Sequence, residues 1–177
     1  MLQRFNELLP AIVIFFDKKG RHFPELTDPI WLQDFAFLVD ITAMLNELNI
    51  KLQGKDKDLS ASISEVSAFG QKLQFWKGNL AAHDTTHFPC LQEHLHKQDL
   101  SQAYNSEDHI QILVKLEEEF QTRFADFKKI EQLAQFITSP FSPVNVREFS
   151  SCVRKHFPAV NIAAIEMEVI ELQYDLV

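Results

Sequence analysis

Apolar residues recur along this chain at three- and four-residue steps over long stretches, the spacing of helices that bury one face. The clearest stretch follows Asp28 and Pro29, an N-cap residue before a proline suited to the first helical position. From there Trp31, Phe35, Leu38, Ile41, Leu45, Leu48 and Leu52 mark one face until Gly54. A second stripe of Leu59, Ile63, Val66, Phe69, Leu73, Trp76 and Leu80 follows Asp58, its candidate N-cap. Two such helices joined by the short polar loop GKDKD are expected to fold back as an antiparallel hairpin.

The flanking segments are shorter. Residues 2 to 18 form a first helical segment stopped at Gly20, with Pro10 expected to break or kink it. A short helical piece with Leu91 and Leu95 follows Pro89. The next long helix is expected to be capped by Ser106, with Glu107 and Asp108 in its first turn. Its face is Ile110, Leu113, Leu116, Phe120, Phe124 and Phe127, and the same spacing carries on toward Ile137. Residues 138–158, with TSPFSPVNV at their start, read as an irregular connector in which the piece FSSCVRKHFP is ambiguous. A last helix runs from Ile162 to Leu172, and the chain ends at Val177 with no C-cap, as if cut from a longer protein.

Composition agrees with helices. With only 4 Gly and 7 Pro among 177 residues, tight-turned strand folds are disfavoured, and 16 Phe supply a bulky core. The formal charge of −8 argues against a free-standing nucleic-acid binder, which would carry a basic stripe to neutralise phosphates. The densest basic groups, Lys18, Lys19 and Arg21 and then Arg154 and Lys155, are small. Two cysteines, Cys90 and Cys152, make no disulfide framework, which fits a reducing, intracellular compartment. The apolar run Ala11 to Phe16 is too short to cross a bilayer and lacks the flanks of a signal peptide.

Candidate chemistry is sparse. His83, His87, Cys90, His94 and His96 are zinc-ligand types, but their spacing fits no paired signature, and a polar connection with surface histidines is the plainer reading. Glu117, Glu118 and Glu119 point around a helix, as a solvated face would. Asp40 sits beside the buried stripe, where a carboxylate bonded to a neighbouring helix is expected rather than a catalytic one. Trp31 and Trp76 fall on core faces, and Asn46, Asn49 and Gln53 are polar positions expected to fix helix register. There is no phosphate loop, dinucleotide glycine pattern or nucleophile elbow.

One stretch is more specific. WLQDFAFLVDITAMLNELNIKLQGKDKDL, Trp31 to Leu59, followed by SAFGQKLQFWKGNL and HFPCL, resembles vertebrate hAT-family transposase-derived proteins. Similar members carry BED-finger and SCAN domains, are appended to TFII-I-repeat factors, or interact with laforin. In that family an RNase H-like catalytic core is interrupted by a large helical insertion. The resemblance implies that this chain matches the insertion and contains none of the catalytic carboxylates, which belong to strands outside it. Asp40 matches the aspartate of the family's helical motif, in a structural role.

The expectation is therefore an all-α fold: a bundle of long antiparallel amphipathic helices in a single helical domain over residues 1–177. It is expected to have no enzymatic activity, no cofactor and no metal, and to act by protein–protein association or scaffolding in the nucleus or cytoplasm. Nucleic acid would be engaged only through the parent protein, and no membrane is involved. Apolar residues near both ends, Val13 and Phe16, Val169 and Leu172, are the candidate contacts for self-association or a protein partner. The rival readings are a small metal-binding protein using the His/Cys cluster and a stand-alone DNA-binding module.

Overall fold

The computed structural model describes residues 1–54, 59–99 and 104–174, and among these it contains eight α-helices and no strand. They are α1 (Leu2–Lys18), α2 (Pro29–Leu52), α3 (Leu59–Ala81), α4 (Pro89–Lys97), α5 (Glu107–Arg123), α6 (Ala125–Thr138), α7 (Val146–His156) and α8 (Ile162–Tyr174). Asp58, expected to cap α3, and most of the GKDKD loop fall outside the described residues, as does Val177.

Local chemistry accounts for the helix ends. Asp28 Oδ1 accepts the Ile30 amide at 2.9 Å, with Pro29 in the first turn of α2. Gly20 (φ 65°) closes α1: the Arg21 amide reaches back to the Phe16 carbonyl at 3.0 Å and the Gly20 amide to that of Asp17 at 3.0 Å. That left-handed residue after the last turn is the Schellman arrangement. His83 (φ 58°) ends α3 in the same way, with the Asp84 amide on the Asn79 carbonyl at 2.8 Å. At the start of α5 the acceptor is Asn105 Oδ1, which takes the Glu107 amide at 3.1 Å; the side chain of Ser106 makes no capping bond.

Two expectations are corrected at this level. Pro10 neither ends nor interrupts α1, which runs through it. The proline lies on the exposed side, where the Asn6 carbonyl it leaves without an amide can turn to water. The stretch 138–158 is not an irregular connector throughout: Val146–His156 is α7. Asn145 Oδ1 accepts the amides of Arg147 (3.2 Å) and Glu148 (3.3 Å), so a local cap starts a helix directly after the proline-containing turn.

The helices pack around two apolar clusters. The larger gathers Phe37 and Ile41 of α2, Phe69, Leu73 and Trp76 of α3, Leu91 of α4, and Leu113 and Phe120 of α5, with Phe88 wholly buried among them. α2 packs broadly on α4 and α3 on α5, while α2 and α3 also meet. There Lys51, near the end of α2, reaches Glu65, near the start of α3, at 3.7 Å. α1 leans on α2 through Phe5, edge-on to Phe35 at 5.3 Å. The smaller cluster is Phe149 and Val153 of α7 with Val169 of α8, covered by Leu133 and Phe136 of α6. α6 joins the two: its Phe127 packs on the first core and its later turns on the second.

The stripes read from the sequence hold for α3 and α2 except at one position each. Ile63 to Leu80 are all buried at the expected positions, whereas Leu59 at the start of α3 and Leu38 in α2 are half exposed. Asn46, Asn49 and Gln53 are exposed, and Gln53 Nε2 donates to Asn49 Oδ1 at 2.9 Å; they fix no contact between helices.

Candidate functional site

Three buried polar groups stand out, each tying together helices far apart in sequence. Asp40, 4% exposed in the middle of α2, accepts the Cys90 amide on Oδ1 (3.1 Å) and the Leu91 amide on Oδ2 (3.0 Å). These are the first free N–H groups of α4, since Pro89 has none and the cap residue Phe88 offers no side-chain acceptor. Burial raises the Asp40 pKa above the ordinary carboxylate value, and the two amides work in the other direction. Burial, with Asp40 beside it, also pushes the Cys90 thiol up to about 12, so this cysteine is an inert one. Asp40 is a helix cap supplied by another helix, as its place beside the stripe suggested.

His109 is the second. It is 2% exposed and its ring stacks on Phe37, with centroids 4.1 Å apart and planes 9° from parallel. Its Nε2 lies 3.0 Å from Asp34 Oδ1, and its Nδ1 2.7 Å from the Tyr104 hydroxyl. A carboxylate can only accept, so Nε2 carries the hydrogen and Nδ1 accepts from the tyrosine. Burial lowers the His109 pKa, and the bond to Asp34 opposes this. The histidine thereby locks the start of α5 to α2. Sequence reasoning missed it, although it sits one turn before Leu113 on the inward face of α5.

Glu117 is the third, and it corrects the reading of a solvated acidic run. Glu118 and Glu119 are exposed, but Glu117 is buried. It pairs with Lys77 and accepts from Gln74 Nε2 at 2.9 Å and Gln121 Nε2 at 3.1 Å. The Lys77 bond lowers its pKa. The position follows the Leu113, Phe120 face, and that signal was available in the spacing. It borders a cleft of about 280 Å³ between α3, α5 and α6, whose floor includes Phe120, Phe124 and Gly70.

The histidine and cysteine positions are scattered in role. His83 ends α3, His87 lies edge-on to Phe75 at 5.5 Å, and His94 Nε2 reaches the Pro29 carbonyl at 3.0 Å. Among the described residues no three His, Cys, Asp or Glu side chains converge so as to hold a metal ion. Nor is any helix among them long and apolar enough to cross a membrane.

The four association candidates divide between two helices that pack on different neighbours, α1 on α2 and α8 on α7. Val13 and Phe16 are half-buried, Phe16 edge-on to Phe23 at 4.7 Å; the outward residues of α1 are Ile14 and Phe15, each 56% exposed. Val169, at 4% exposed, is part of the second core and is not available to a partner, and Leu172 is half-buried beside it. The outward residues of α8 are Met167, Ile170 and Tyr174. A helix apolar on two sides hides which side faces the core until its neighbour is placed.

α3 ends at Ala81. Residues 1–81 match the FAM200/GTF2IRD2-like helical domain. The match stops where α3 stops, so the FAM200/GTF2IRD2-like region supplies Asp40 and Trp76, while α4 and α5, which complete their surroundings, lie beyond it. Over its whole length the chain is similar to general transcription factor II-I repeat domain-containing protein 2 from Bos taurus, 35% identical over 180 residues. The Mus musculus protein of that name is 34% identical over 179 residues. Each alignment covers 100% of this chain and 17% of the relative, so the chain corresponds to a small part of those proteins. No solved structure matches the chain.

Proposed function

We propose that this chain is a non-catalytic association domain of a transposase-derived protein, the helical insertion of a hAT-type transposase whose RNase H-like core lies elsewhere. The parent protein works with DNA inside the cell, and this domain contributes protein contacts rather than chemistry. Similarity to the FAM200/GTF2IRD2-like domain and to the transcription factor II-I repeat relatives supports the origin. The buried carboxylates support the absence of chemistry: Asp40 is consumed by two backbone amides and Glu117 by a lysine and two amide side chains. Two-metal cleavage would need carboxylates that converge and remain free.

The observation that carries the association role is α1, a 17-residue helix with no buried residue. Its outer side shows Leu8, Ile14 and Phe15 to solvent. A helix apolar on both sides is covered on both sides in the working assembly. Sedimentation at micromolar concentration is expected to show self-association, and Ile14→Glu with Phe15→Glu to abolish it while circular dichroism stays helical. A wild-type monomer that binds no hydrophobic dye refutes the association reading. Metal-dependent nicking of DNA, lost in Asp40→Asn, refutes the non-catalytic one.

A further inference from the structure

α8 presents a second apolar stripe on the side away from α7. Ala163, Met167, Ile170 and Tyr174 recur at steps of four, three and four residues, the seam spacing of paired helices. All four are exposed, Met167 by 56% and Tyr174 by 80%, while Ile162, Ile165 and Val169 face the core. The stripe is therefore additional to the packing the fold needs. Its borders are acidic: Glu166 lies on one side and Glu171 on the other, with no lysine or arginine anywhere in α8. Glu166 is held in place by the Ser150 hydroxyl, which donates to its Oε1 at 2.7 Å.

The charges at the borders of such a seam choose the partner. A second copy of α8 is a poor one, because a parallel pair sets Glu166 against Glu171 of the other copy. No arrangement of two α8 helices offers either carboxylate a cation. We propose that the outer face of α8 docks an amphipathic helix of another protein whose apolar stripe is bordered by lysines or arginines. The apolar seam supplies the contact and the carboxylates set orientation and choice. This rests on the reading of the chain as an association domain and narrows it, on a surface separate from α1.

The full chain is titrated, by fluorescence anisotropy, with two synthetic helices of about three heptads with leucine seams. One has lysine borders and the other glutamate borders. The lysine probe is expected to bind at least tenfold more tightly. Met167→Asp with Ile170→Asp, both on the solvent side, is expected to weaken it at least tenfold despite adding negative charge. Mere attraction between a basic peptide and an acidic protein would strengthen instead. Ala164, exposed two turns before Glu171 on the same border, is changed with it: Ala164→Lys with Glu171→Lys is expected to transfer the preference to the glutamate probe, and Ile14→Asp with Phe15→Asp on α1 to change nothing. Equal binding of both probes, or undiminished binding by the folded Met167/Ile170 variant, overturns the proposal. Failure here with α1-dependent assembly intact leaves the association reading standing, and loss of α1-dependent assembly alone leaves α8 docking standing.

Discussion

Replacing Asp40 with alanine isolates a single long-range cap. The side chain sits in α2, yet the groups it satisfies are the Cys90 and Leu91 amides of α4, fifty residues on, at 3.1 and 3.0 Å. Leu91 is wholly buried and Cys90 half-buried, so water can replace the carboxylate at one amide but hardly at the other. A buried donor left without a partner costs about 1–3 kcal/mol. Asp40→Ala is therefore expected to cost about 2–4 kcal/mol, against a total stability on the order of 5–15 kcal/mol. For a chain of this size the melting temperature should fall by about 5–15 °C. Asp40→Asn keeps one carbonyl oxygen and sets an amide hydrogen against the other donor, so about half that loss is expected. The folded pKa of Asp40 is raised above its unfolded value, so between the two the folded chain holds more protons and its stability falls as pH rises. Urea unfolding followed by circular dichroism at one fixed pH for all variants, with unchanged m-values, measures the difference. An alanine variant within about 0.5 kcal/mol of the wild type, the size of an ordinary surface substitution, refutes the cap.

Three further outcomes follow from the buried polar groups and the cleft. Burial lowers the His109 pKa below that of the unfolded chain, so the unfolded chain takes up the proton first on acidification, and stability falls as pH drops below about 6.5. Asp34 and Asp108 oppose the shift, and His109→Gln should flatten the slope between pH 7 and 5 by at most about 1.4 kcal/mol per pH unit in urea titrations. Glu117→Ala strands Lys77 and Gln74 and is expected to cost about 1–3 kcal/mol at pH 7. Its folded pKa is lowered, so the wild type's advantage should shrink as pH falls through and below the ordinary carboxylate range. Gly70→Ala, whose Cβ would meet nothing within 4 Å, should raise stability by about 0.5–1 kcal/mol in thermal melts; a loss would show that α3 needs the bare backbone there.

What was legible in the sequence is what local geometry decides. Asp28 and Pro29 start α2 and Gly20 stops α1, because caps involve residues a turn apart. The α3 stripe is buried as spaced from Ile63 to Leu80, where the helix has core along one side, and only Leu59 in its first turn is exposed. α7 stayed ambiguous because proline and serine dominate the turn before it and the cap is the single residue Asn145. Pro10 misled because its cost depends on which side of the helix faces water, and spacing alone did not say. Val169 misled for the same reason: α8 is apolar on two sides, and only α7 decides that Val169 goes in and Met167 out. The polar residues show the limit most plainly. His109 and Glu117 fall on the apolar face of α5 and Asp40 beside that of α2, and all three are buried, where a side chain must find a partner or unfold the helix pairing around it. A stripe position can therefore be recognised as paired from sequence, but its partners at Leu91, Asp34 and Lys77 lie 51, 75 and 40 residues away. Those separations are set by which helices meet. A polar residue on an otherwise apolar stripe is thus a pointer to tertiary pairing before it is a candidate for chemistry.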